Sequence, residues 1–228
     1  MLGYLGPNGS GKSTTVKMLL GLVEPSSGSV FYDGRSIHKD LLTFRRHVGY
    51  VPEEPHLYPF LSGREYLQLV GRLREWPAEL VDHKADALLR LFGLGASTEQ
   101  AISSYSKGMK QKVLISAALL HDPAVLIFDE PLSGLDVTAA VVFRHLVQTL
   151  TARGKTILYS SHVLEVVEKV CSRVLVLHRG HIVAHDSIEH LRARLARDSL
   201  EDVFRELVSQ ESPARVARDI SDVVSLRP

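Results

Sequence analysis

The chain has 228 residues, 45% of them hydrophobic and 23% charged, enough to bury a sizeable core as one domain with two lobes. Its 27 Lys and Arg nearly cancel 26 Asp and Glu, so the basic footprint of a nucleic-acid binder is lacking and no nucleic-acid partner is expected. A lone cysteine, Cys171, excludes an internal disulfide framework, fits a reducing compartment and reads as a small buried side chain.

The opening MLGYLGPNG has neither the cationic nor the apolar region of a signal peptide. The longest apolar runs, Val113 to Leu120 and Val125 to Phe128, fall far short of the roughly 20 residues that span a bilayer. The chain is therefore expected in the cytoplasm, with any membrane role peripheral. Leu2 to Leu5 reads as the end of a strand, and Thr14 to Leu20 as a helix closed by Gly21. From Leu57 to Leu120 the pattern is mainly helical. Ser62 and Glu65 are spaced as a capping box, with Leu67, Leu69, Val70 and Leu73 following, so an inserted helical lobe is expected.

Val125 to Phe128 and Thr156 to Tyr159 read as buried strands, and Val174 to Leu177 and Ile182 to Ala184 add two more. Short strands alternating with helices predict an α/β fold around a mainly parallel sheet. Ser199 caps an amphipathic helix with Leu200, Val203, Phe204, Leu207 and Val208 on one face. Glu201, Asp202 and Glu206 load its other face with acid, which favours packing on the core over lying on a membrane. The expected layout is a single domain over residues 1–211, with a core lobe at 1–56 and 121–190, a helical lobe at 57–120 and a C-terminal helix at 191–211. A loose polar tail at 212–228 completes it.

Residues 6–14 read GPNGSGKST, and Gly6, Gly11, Lys12 and Ser13 fit the phosphate-binding pattern G-x-x-x-x-G-K-[ST] between a strand and a helix. Glycines let consecutive backbone N–H groups curl around phosphate oxygens, and the helix N-terminus adds positive potential. Lys12 reaches the β and γ phosphates, and the Ser13 hydroxyl ligates Mg²⁺. Pro7, Asn8, Gly9, Ser10 and Thr14 complete the candidate ATP-binding loop. The apolar strand Val125 to Phe128 ends in Asp129 and Glu130, two carboxylates at the edge where the phosphates lie. Asp129 suits Mg²⁺ held through water, and Glu130 suits the general base on the attacking water.

With these motifs in order, the sequence resembles the ATP-binding subunits of ABC transporters, from its first residues to about Phe204. Ser106, Lys107, Gly108 and Met109, within YSKGMKQK, match the signature motif usually written LSGGQ, with Tyr105 in place of its leading leucine. Ser133, Gly134, Leu135 and Asp136 match the D-loop, and Ser160, Ser161 and His162 match the loop of the switch histidine. Leu61 to Gly63 and Leu132 to Gly134 are further LSG strings but lie outside the signature. The resemblance implies a P-loop NTPase fold, ATP and Mg²⁺, and hydrolysis with Glu130 and His162 as catalytic residues. It also implies head-to-tail pairing with a second ATP-binding subunit, identical or related, in which Ser106 and Gly108 face the ATP held by the partner's Lys12. A separate membrane permease would carry the pair on the inner face of the cell membrane.

Glu53, within GYVPEEPHLYP, stands where the family usually has a glutamine that touches Mg²⁺; a carboxylate also ligates a hard cation. The same GY-P-E-E string, with YSKGMKQK and the SLEDVF at Ser199 to Phe204, resembles the exporter branch, which moves drugs, polysaccharides or ions. Five residues precede Gly6 where the family has several dozen, so an N-terminally truncated antiparallel sub-sheet is expected and no adenine-stacking aromatic is assigned. A nucleotide-binding fragment without hydrolysis, and a soluble ABC protein of translation or DNA repair, are the alternatives to a transport motor.

Overall fold

The computed structural model describes residues 1–208 and 213–225. From the N-terminus run β1 (Leu2–Leu5), α1 (Lys12–Leu19), β2 (Phe31–Tyr32), β3 (Arg35–Ser36), α2 (Leu41–Arg46) and β4 (Val48–Val51). Three helices follow, α3 (Gly63–Leu73), α4 (Ala78–Leu91) and α5 (Lys107–Leu119). The chain then returns through β5 (Val125–Asp129), α6 (Val137–Ala152), β6 (Thr156–Ser160), α7 (Leu164–Val170), β7 (Arg173–His178) and β8 (His181–Ser187). It closes with α8 (Ile188–Leu195), α9 (Leu200–Val208) and α10 (Pro213–Ser225).

Six strands form one sheet in the order β4-β5-β6-β1-β7-β8, parallel throughout except for the β7–β8 pair. β2 and β3 form a separate antiparallel hairpin. This is the α/β architecture that the alternation of strands and helices predicts. The strands read as unbroken apolar runs because helices cover the sheet on both faces. Leu5, Leu126, Phe128, Ile157, Tyr159 and Val176 pack with residues of α5, α6 and α7 in one cluster. Tyr4, Ile127 and Leu177 share the opposite cluster with Val16 of α1 and Phe44 of α2.

The helical segment has its own core, built from Leu67, Ala85, Leu89, Ile102, Tyr105 and Val113. Ser62 caps α3 as its spacing predicts: Ser62 Oγ accepts from Glu65 N–H at 3.2 Å, and Glu65 Oε2 accepts from Ser62 N–H at 2.8 Å. Gly71 lets α3 and α4 approach, since a Cβ there would fall 2.4 Å from a Val81 methyl.

Two expectations near the C-terminus need correction. The single helix expected over 191–211 is two helices, α8 and α9, broken where Ala196 takes φ 50°. Ser187 caps the first, and Ser199 Oγ accepts from Asp202 N–H at 3.1 Å at the start of the second. Residues 213–225 of the tail expected to be loose form α10, with Pro213 in the first turn, where a missing N–H is harmless; residues 212 and 226–228 lie outside the described residues. Residues 209–211, assigned to the expected helix, lie outside the described residues.

Candidate active site

β1, β4, β5 and β6 are parallel neighbours, so the segments leaving their C-terminal ends emerge at one edge of the sheet. The sequence puts the glycine-rich loop after β1, Glu53 after β4, Asp129 and Glu130 at the end of β5, and Ser160 to His162 at the end of β6. Register brings Asp129 opposite Ser160, and Ser160 opposite Tyr4.

The loop from Gly6 to Gly11 is braced from behind. A Cβ on Gly6 would lie 2.4 Å from the Leu177 carbonyl oxygen, so only glycine fits, and Gly180 N–H donates to Ser10 O at 3.0 Å. Asn8 and Gly9 form the exposed turn. Gly11 caps α1 at φ 105° and brings no side-chain cap, which leaves the first-turn N–H groups, with Ser13 and Thr14 beside them, open to an anion. Lys12 lies back over the loop and donates from Nζ to Gly6 O and, at 3.2 Å, to Pro7 O.

Glu130 sits at φ 47°, a left-handed conformation that costs a non-glycine residue about 1 to 2 kcal/mol. Hydrogen bonds hold it there. Its N–H donates to Ser160 O at 3.0 Å, and its carbonyl accepts from Ser133 N–H at 3.0 Å. Its carboxylate is also fixed: Oε2 accepts from the Ser161 hydroxyl at 3.1 Å, and Oε1 accepts from His162 N–H at 2.6 Å. The Ser161 oxygen in turn accepts from Val163 N–H at 3.1 Å, which leaves its proton for Glu130. His162 Nδ1 lies 2.9 Å from Glu130 Oε1, while the imidazole is 80% exposed and the Glu130 side chain 12%. A fixed carboxylate and an accessible imidazole therefore share one anchoring point.

Asp129 is buried, and burial pushes its pKa up; the Ser160 hydroxyl opposes this, and the charges of Glu53 and Glu130 add to the rise. Tyr50, at the end of β4, is pushed up to about 12 by burial and then by Asp129 and Glu53. Glu53 itself is exposed. Asp129, Glu53 and Glu130 thus bring together negative charge that Lys12 only partly offsets, and Asp129 and Glu53, with the Ser13 hydroxyl, are the residues that could hold a hard cation such as Mg²⁺.

Ser106, Lys107, Gly108 and Met109 begin α5, where Ser106 Oγ accepts from Met109 N–H at 3.2 Å. Tyr105, in the place of a leucine, is buried in the helical core, and its hydroxyl donates to Ser97 O. The loop Ser133 to Asp136 lies directly against this helix start. A Cβ on Gly108 would fall 2.4 Å from Gly134 O, Lys112 Nζ is 3.6 Å from Asp136 Oδ2, and Asp136 caps α6 by accepting from Ala139 N–H at 2.8 Å. The structure thus gathers two groups, one at the sheet edge and one at the head of α5, joined by the turn that follows Glu130.

A family model described as ABC transporter matches residues 1–133. The chain belongs to the ABC transporter family. An ABC transporter ATP-binding protein of a Nostoc species is 40% identical over 83% of this chain and 56% of its own length. The ABC transporter ATP-binding protein NatA of Bacillus subtilis is 35% identical over 90% of this chain and 83% of its own. A solved structure of an ATP-binding subunit of an ABC transporter superposes with a TM-score of 0.85 at 34% identity, covering 91% of this chain and 87% of that one. The present chain therefore spans little more than half of the Nostoc relative and most of the other two. Within this ABC domain, sequence reading identified Ser161 only as a neighbour of His162 and did not single out Gln111. Their partners, Glu130 and Pro131, are 31 and 20 residues away, beyond any local pattern.

Proposed function

We propose that this chain is the ATP-hydrolysing motor of a transporter, working as a head-to-tail pair on a separate membrane permease, on its cytoplasmic face and in the direction of export. The observation that carries the hydrolytic part is the carboxylate of Glu130, fixed at the sheet edge by the Ser161 hydroxyl and the His162 N–H beside an exposed imidazole. Glu130 takes the proton of the attacking water, and His162 contacts the γ phosphate. Lys12 leaves its loop carbonyls for the β and γ phosphates, and Ser13, Asp129 and Glu53 are the residues that would hold Mg²⁺. When bound, the ion neutralises phosphate charge and orients the triphosphate.

The paired arrangement is supported by the exposure of Ser106 and Lys107 at the capped start of α5, where they are free to meet a nucleotide held by a second subunit. ATP then joins the two subunits, and hydrolysis loosens them by removing contacts made only in the closed state. The helical lobe passes this change to the permease. Among the described residues no helix is long and apolar enough to cross a membrane. Export is the reading favoured by Glu53, YSKGMKQK and SLEDVF.

The test is Mg-ATP hydrolysis by the purified chain across protein concentrations, with Glu130→Gln as the blank. Specific activity is expected to rise with concentration, and Glu130→Gln to lose roughly 10² to 10⁴ in turnover. Specific activity independent of concentration would refute the paired site, and equal turnover in the two proteins would refute Glu130 as base.

A further inference from the structure

We propose that Gln111 is a positioning residue for Glu130, tying the helix that begins with the signature to the turn carrying the base of the same subunit. α5 is otherwise a core helix here, with Val113, Leu114, Ile115 and Ala118 buried around Gln111, which is itself 0% exposed. Its Nε2 donates to the Pro131 carbonyl oxygen at 3.1 Å, and its Oε1 is buried with no hydrogen-bond partner. A buried amide with an unmet acceptor is unfavourable, a cost that a leucine or methionine would avoid. Its contribution therefore lies in what it holds.

Pro131 follows Glu130 directly. The turn of residues 130–135 closes through Ser133 N–H to Glu130 O at 3.0 Å and Leu135 N–H to Leu132 O at 3.1 Å, and Gln111 takes the carbonyl between these two acceptors. The pyrrolidine ring fixes φ of Pro131, so anchoring the peptide after it restrains Glu130 as well. Along α5, Gln111 lies just over one helical turn beyond the Ser106 cap. A shift of the signature end is thus passed to Pro131 through a short rigid rod. In the paired arrangement proposed above, on which this inference rests, one helix then meets the partner's nucleotide at its start and, just over one turn later, holds the peptide that follows the base of its own site.

The experiment compares the full chain with Gln111→Leu and Gln111→Met, the latter keeping side-chain length should the former fold poorly. Ser116→Ala serves as control; Ser116 is buried in the same helix, and its hydroxyl donates only within it, to Lys112 O at 2.8 Å. Turnover, KM for Mg-ATP, thermal stability and backbone hydrogen exchange are measured for each. Gln111→Leu and Gln111→Met are expected to lower kcat about tenfold at unchanged KM, one hydrogen bond's worth of barrier, and to speed exchange selectively in residues 132–136. Ser116→Ala should lose stability and keep kcat. Unchanged kcat and unchanged exchange in both Gln111 variants would overturn the inference. Were the wild type itself unable to hydrolyse ATP, the motor reading would fall, and the exchange pattern alone would decide the role of Gln111.

Discussion

Lys12 is the residue whose state must change most when nucleotide arrives. Its ammonium donates to two carbonyls of its own loop, Gly6 O and Pro7 O, so the cation that braces the loop is the one proposed for phosphate. Charge-assisted bonds to phosphate are worth more than bonds to neutral carbonyls, so the exchange favours binding. Lys12→Ala should therefore weaken ATP affinity about tenfold or more, read by titration with a fluorescent nucleotide, whereas Glu130→Gln should retain it. Equal affinities in the two variants would contradict this division of labour. The phosphate loop, the acid pair and His162 were legible in the sequence because their chemistry fixes residue types at short spacing. The hydroxyl that orients Glu130 was not, because a serine beside a histidine says nothing about what it faces.

At the scale of elements, the same contrast holds. The capping box of Ser62 and Glu65 was readable because a helix start is a local event, and its two reciprocal bonds satisfy N–H groups that α3 leaves open. Ser62→Ala should destabilise the chain by about 1 kcal/mol, seen as a lower midpoint in urea at unchanged slope. No change would mean that Glu65 alone secures the helix. β4, four residues with Gly49 among them, went unread, whereas β1, equally short and carrying Gly3, was marked as a strand by the glycine-rich pattern that follows it. A Cβ on Gly49 would fall 2.3 Å from Ala118 O, so the glycine serves the close passage of α5 across the strand. The break between α8 and α9 was hidden for a different reason, since Ala196 is a helix former by propensity and takes its left-handed turn from tertiary context.

The whole molecule has a pH-sensitive seam where the helical segment meets the sheet. His121 follows α5, is buried, and has Nε2 3.0 Å from Val48 O of β4. Burial, then the charge of Arg74, pushes its pKa from 6.5 down to about 4. Between those two values the unfolded chain binds a proton that the folded chain refuses, so stability falls as pH drops from about 6.5 towards 4. The loss should be roughly 1 to 2 kcal/mol once solvent screening is allowed for. His121→Gln, which keeps a donor for Val48 O, should remove this part of the acid dependence in denaturation measured at pH 7 and pH 5. An identical fall in the variant would place the acid sensitivity elsewhere.

The position of β1 between β6 and β7 sets a timetable for synthesis. β1 has no strand neighbours in this sheet until residues 156–178 follow it, and the Gly180 N–H that steadies Ser10 comes later still. At about 5 to 20 residues per second, β1 waits on the order of ten seconds for its place. The glycine-rich loop therefore acquires its bracing only in a chain translated past Gly180. A prematurely terminated product carries the whole glycine-rich loop and lacks the backing that gives it shape.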